Sequence, residues 1–137
     1  MKYLLPNQAN QILHLTLAEG RSYYATPFTH YLMIIEGEDT GIATDNKLAQ
    51  VLVVNYENIR DTEVTLTTVG LPYPETGGSY LYRYIVYGQN SASNLNPNNS
   101  AVVGVVERGS LMISNNGNYY IENTTRDKEV IYPPQRV

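Results

Sequence analysis

From Gln11 onward the chain alternates. The run "QILHLTL" sets Ile12, His14 and Thr16 on one side and Leu13, Leu15 and Leu17 on the other, which is the period of a half-buried strand. Comparable runs recur near 10–17, 29–36, 49–55, 62–68, 79–88, 101–114, 118–123 and 128–133. Between them lie "GEDTGIATDNK", "LPYPETGG", "QNSASNLNPNNS" and "SNNG", whose Gly, Pro, Asn and Asp supply positive φ, a pre-set φ or a local side-chain cap. No segment carries a convincing helical face. Seven or eight short strands at this spacing predict an all-β fold, a single antiparallel β-sandwich of Ig-like or jelly-roll-like type, with a small barrel as the other architecture of that pattern.

The run "SYLYRYIVYG" is the clearest strand. Tyr80, Tyr82, Tyr84 and Val86 share one face, and Leu81, Arg83, Ile85 and Tyr87 share the other. Large apolar groups on both faces are expected of a central strand. Arg83 interrupts this pattern and is expected to snorkel outward or to pair with a carboxylate such as Glu107. Asn116-Gly117, between two strand runs, predicts a hairpin over 109–123. Glu107-Arg108-Gly109 reads as a chain reversal. In the loop that follows Gln89, Asn94 and Asn96 are placed for Asx turns ahead of Pro97, leaving Leu95 as an apolar plug folded inward or offered to a partner.

The first eleven residues stand apart. In "MKYLLPNQANQ" the apolar run stops after Leu5, well short of the roughly 7–15 residues an export leader needs. The expectation is an extended N-terminal arm over 1–11, a β-sandwich domain over 12–133, and a C-terminal tail over 134–137 that begins at the second proline of Pro133-Pro134. An arm of that kind implies that removing Lys2–Asn10 leaves a folded domain.

Composition narrows the function more than the fold. The chain has 137 residues, enough for one domain with a real core, and no cysteine, so neither disulfides nor thiolate metal sites enter. Net charge is −4 with a pI near 5.0 and no cluster of Lys or Arg, which argues against nucleic acid as a partner. No run approaches the roughly 18 apolar residues of a membrane span. Tyrosine dominates the aromatics, with 13 copies against one Phe and no Trp. Tyr suits pleated sheets and is enriched at protein interfaces.

Catalytic chemistry finds no foothold. His14 lies mid-strand and His30 begins one, and neither has a G-x-S-x-G elbow to serve. Glu36, Glu38, Asp39, Asp45, Asp61 and Glu63 fall at turns and strand ends, where solvation accounts for them. "EGEDTGIATDN" lacks the residue order of a calcium loop, and "GGSYLYR" lacks the Lys-Ser/Thr of a phosphate loop. Asn98 and Asn123 match the N-glycosylation pattern, which without an export signal has no compartment in which to matter. The expectation is therefore a protein that is not an enzyme and uses no metal or cofactor.

A resemblance adds a setting. The strand Tyr80-Leu81-Tyr82-Arg83-Tyr84-Ile85-Val86-Tyr87 with Gln89, the loop Ser93-Asn94-Leu95-Asn96-Pro97, the segment Val105-Val106-Glu107-Arg108-Gly109-Ser110-Leu111-Met112-Ile113 and the opening "LLPNQANQILHLTL" together resemble small β-sandwich virion structural proteins of bacteriophages. Residues 36–48 depart from that pattern. The resemblance implies a non-enzymatic virion protein made in the host cytoplasm. The role it implies is a capsid decoration or auxiliary protein, with a head–tail connector or tail component as the alternative. Its partners would be other virion proteins or further copies of itself, with no nucleic acid and no membrane. From a different class, exposed tyrosines would serve a carbohydrate- or receptor-binding module. The expected contact residues are Tyr3, Leu4 and Leu5 on the arm, Tyr80, Tyr82 and Tyr84 on the sheet, and Leu95 at the loop tip, the arm acting by adding to a neighbour's sheet edge.

Overall fold

The computed structural model describes residues 1–37, 47–73 and 78–114. In chain order these form β1 (Lys2–Leu4), β2 (Gln11–Leu15), a single-turn helix α1 (Leu17–Arg21), β3 (His30–Gly37), β4 (Lys47–Val51), β5 (Val53–Glu57), β6 (Thr62–Leu66), β7 (Ser79–Gln89) and β8 (Val102–Ser114). The described residues are mostly strand, as the alternation predicted. The predicted hairpin at Asn116-Gly117, the runs 118–123 and 128–133, the C-terminal tail, the Asn123 acceptor pattern and the calcium reading at Glu38, Asp39 and Asp45 lie outside them.

The strands make two sheets. One has five strands in the order β1-β8-β7-β3-β4, the other three in the order β2-β6-β5. A single buried cluster joins them. Leu13, Leu15, Val64 and Leu66 enter from the small sheet, while Tyr31, Met33, Ile35, Tyr82, Tyr84, Val86, Leu111 and Ile113 enter from the large one. Alternation places each set inward, so β2 and β6 bury every second residue.

Leu52 marks the passage between sheets. The apolar run 49–55 reads as one strand, yet β4 pairs with β3 in the large sheet and β5 with β6 in the small one. Leu52 is buried at the corner, and its N–H donates to the Tyr31 carbonyl at 2.9 Å. No Gly or Pro announces the bend, because the two strands simply turn about one buried side chain.

Four other expectations need correction. The large sheet is not purely antiparallel: β1 runs parallel to β8, with Lys2, Tyr3 and Leu4 opposite Leu111, Met112 and Ile113. Residues 1–11 are consequently no free arm, since Leu4 is only 1% exposed and belongs to the core. The side chain of Gln11 fixes that geometry. Its Oε1 accepts from Leu5 N–H, and its Nε2 donates to the Leu5 carbonyl and to Thr68 Oγ1, each at 2.8 Å. The reversal expected at Glu107-Arg108-Gly109 is absent, because β8 runs through these residues and its irregularities against β7 fall instead between Val86 and Tyr87 and between Gly88 and Gln89. Residues 17–21, in a chain where no helical face was expected and where the first strand was to run to Leu17, close into α1.

The helix is too short to be stable alone and is held by contact. Leu17 and Gly20 are buried, and a Cβ at Gly20 would stand 2.1 Å from the Val106 carbonyl oxygen. Only glycine permits that approach to β8.

Candidate interaction surface

The expected contact residues fall into two groups. Tyr82 and Tyr84 are buried, as is Leu4, so none of the three is available to a partner. The Tyr80/Tyr82/Tyr84/Val86 face of β7 is the inward one. Tyr80 packs half-buried against the core, and Tyr3 and Leu5 are half-buried beside β1. Leu95 is exposed. Its loop is ordered from within: Asn94 Nδ2 donates to Gln89 Oε1 at 2.8 Å, Asn96 N–H to Asn94 Oδ1 at 3.1 Å, and Asn98 N–H to Asn96 Oδ1 at 2.9 Å. Those are the expected Asx turns, with the leucine facing out.

The buried tyrosines instead build internal latches. Tyr84 lies across β8 where a Cβ at Gly109 would meet its hydroxyl at 2.6 Å. From there its O–H donates to Glu107 Oε2 at 2.6 Å, while Glu107 Oε1 accepts from Thr16 N–H and Oγ1 at 3.0 Å. Glu107 thus ties β7 and β8 to the start of α1, and Arg83 pairs elsewhere, with Glu36 at 2.8 Å. A second latch centres on Glu57, which takes Arg21 Nη1 at 3.2 Å and the Tyr31 hydroxyl. The Arg21 guanidinium stacks 4.9 Å from the Phe28 ring and donates to the Phe28 carbonyl at 2.6 Å. Burial, and then the carboxylate neighbour, pushes the Tyr31 and Tyr84 phenols well above their ordinary range.

The exposed apolar groups gather on the other sheet. On the outer face of β2-β6-β5 the register sets Ile12, Thr65 and Val53 in one row and His14, Glu63 and Tyr56 in the next. Ile12, Val53 and Tyr56 are exposed there, and Ile59 is 78% exposed at the β5–β6 turn. A polar network runs across this face. His14 Nδ1 lies 2.9 Å from Asp61 Oδ1, the Tyr56 hydroxyl donates to Asp61 Oδ2, and Asn55 Nδ2 donates to Thr65 Oγ1 at 2.9 Å and Glu63 Oε2 at 3.1 Å. The hydrogen bond to Asp61 pushes the Tyr56 phenol up to about 12, and the same bond, with His14, draws the Asp61 carboxyl down. Both ring nitrogens of His14 face carboxylates, since Nε2 lies 3.7 Å from Glu63. The imidazole therefore organises the surface.

Among the described residues, no group of three His, Asp or Glu side chains is placed to hold a metal ion, and no helix is long and apolar enough to cross a membrane. His30, the other histidine, hydrogen-bonds Thr29 Oγ1 at 2.7 Å. Alternation had already set Ile12 and His14 on one face. Val53 and Tyr56 were missed because the corner at Leu52, which carries β5 into the small sheet, leaves no mark in the sequence. Compared with known proteins, the chain matches no family model, no curated protein and no solved structure.

Proposed function

We propose that this protein is a non-enzymatic structural subunit that works by protein–protein contact, with the outer face of the three-stranded sheet as its contact surface. The observation that carries the reading is the group Ile12, Val53 and Tyr56, exposed together on a sheet face whose polar neighbours are already hydrogen-bonded to one another. Its carboxylates and amides keep their hydrogen bonds when the face is covered, which lowers the cost of taking them out of water. We read the two sheets and their shared core as a β-sandwich. We place the subunit on the exterior of a bacteriophage capsid, as a decoration protein, on the strength of the resemblance carried by Tyr80–Tyr87, Ser93–Pro97 and Val105–Ile113. A binding module that stacks sugars on tyrosine is less well supported, since Tyr31, Tyr82 and Tyr84 are buried in the core.

Quantitative mass spectrometry of purified virions tests the setting. Copies comparable to the major capsid protein are expected. A ratio near that of the portal would move the subunit to the neck or tail, and absence from the particle would overturn the virion reading.

A further inference from the structure

The outer face of the five-stranded sheet carries a different chemistry. There β7 and β8 pair with Arg83 opposite Ser110 and Ile85 opposite Arg108, so the two arginines are diagonal neighbours, about 7–8 Å apart at the backbone. They line an open groove of about 470 Å³ together with Ser110, Gly109, Ile85 and Glu36. The groove is independent of the contact surface on the small sheet.

Its two cations differ in how they are held. Glu36 Oε1 takes both Nε and Nη2 of Arg83 at 2.8 Å, and Lys47 Nζ stands 3.4 Å from Glu36 Oε2. Desolvation works against the Glu36 carboxylate, but Arg83 and Lys47 outweigh it and hold its pKa below the ordinary value. This clamp engages one edge of the Arg83 guanidinium and leaves Nη1 without a partner among the described residues. Half the side chain remains exposed. Arg108 is exposed, and among the described residues neither its guanidinium nor the Ser110 hydroxyl has a hydrogen-bond partner. Among the described residues, Arg83, Arg108 and Lys47 against Glu36 leave a local excess of two positive charges in a chain whose net charge is −4.

The geometry points to an oxyanion-binding site. A carboxylate or phosphoryl group seated over Ile85 would take the free edge of the oriented Arg83, the Arg108 guanidinium and the Ser110 hydroxyl. Guanidinium suits this task because its planar donor fork matches such oxygens two at a time. Orientation by Glu36 removes part of the ordering cost before the ligand arrives.

The test is a titration of the ¹⁵N-labelled full chain at low ionic strength with inorganic phosphate, with glucuronate and with neutral glucose. The amide signals of Gly109 and Ser110 are followed. Saturable displacement by phosphate, glucuronate or both is expected, with a dissociation constant on the order of 1 mM. Phosphate alone would identify a phosphoryl ligand, glucuronate alone an acidic sugar, and both a general oxyanion site. Arg108→Gln, a change at an exposed side chain, is expected to weaken binding about fivefold or more, and raised salt to weaken it in the wild type. Absence of saturation with either anion would overturn the assignment. So would equal displacement by glucose, or undiminished binding by Arg108→Gln.

Discussion

At the scale of single residues, the tyrosines divide by environment. Tyr31, Tyr82 and Tyr84 sit in the core, where burial disfavours the phenolate; Tyr82 is pushed up to about 12, and Tyr31 and Tyr84 further still. In the unfolded chain the same groups titrate near 10.0. The native state therefore keeps protons that the unfolded state gives up, so their contribution is complete below pH 10 and is lost as pH rises beyond it. Urea melts should show stability unaffected by these tyrosines from pH 7 to 9 and a steep decline above pH 10. Tyr84→Phe keeps most of the buried ring and removes one titration, so its decline should be shallower. An equal slope in the variant would show that Tyr84 is not part of the linkage. Which tyrosines go inside was hidden from the sequence for a simple reason. Strand β7 is apolar on both faces, so alternation separates Tyr80, Tyr82 and Tyr84 from Leu81, Ile85 and Tyr87 without saying which set points to the core.

At the scale of elements, contact decides against local preference. In an exposed helix, Gly→Ala is worth up to about 1 kcal/mol of added stability. At Gly20 the new Cβ would stand 2.1 Å from the Val106 carbonyl oxygen, a backbone atom that cannot step aside alone. Gly20→Ala is therefore expected to destabilise by about 1–3 kcal/mol in urea melts, as overpacking does. A gain would mean that α1 does not dock as described. Strand β1 makes the same point over a longer range. Its three residues pair with a strand more than a hundred positions away, too short a run to show a period, and its place depends on the Gln11 and Thr68 side chains. Leu4→Ala should cost about 2–5 kcal/mol, and removal of Lys2–Asn10 should lower the thermal midpoint sharply instead of leaving the domain intact. Where an element makes its own pattern, as β2, β6 and β7 do, the sequence shows it plainly. Where it exists only through a distant partner, as β1, α1 and the β4–β5 corner do, local pattern is silent.

At the scale of the whole molecule, the two sheets turn unlike faces outward: one carries apolar side chains set among satisfied polar groups, the other an arginine-lined groove. That difference makes their roles separable by substitution. Ile12→Thr with Val53→Thr keeps the β-branched shape that strands favour and alters only exposed side chains, so the thermal midpoint should stay close to that of the wild type. If the protein is a virion subunit and the small sheet is its contact surface, incorporation of this double variant into particles should fall tenfold or more, because a few central apolar residues dominate most interfaces. Arg108→Gln, on the opposite sheet, should enter particles normally while losing anion binding. Loss of incorporation in Arg108→Gln with normal incorporation of the double variant would exchange the two assignments and place the partner on the five-stranded sheet. The pair of variants distinguishes the faces because both leave the shared core intact. A defect in either then reports on what its own face touches.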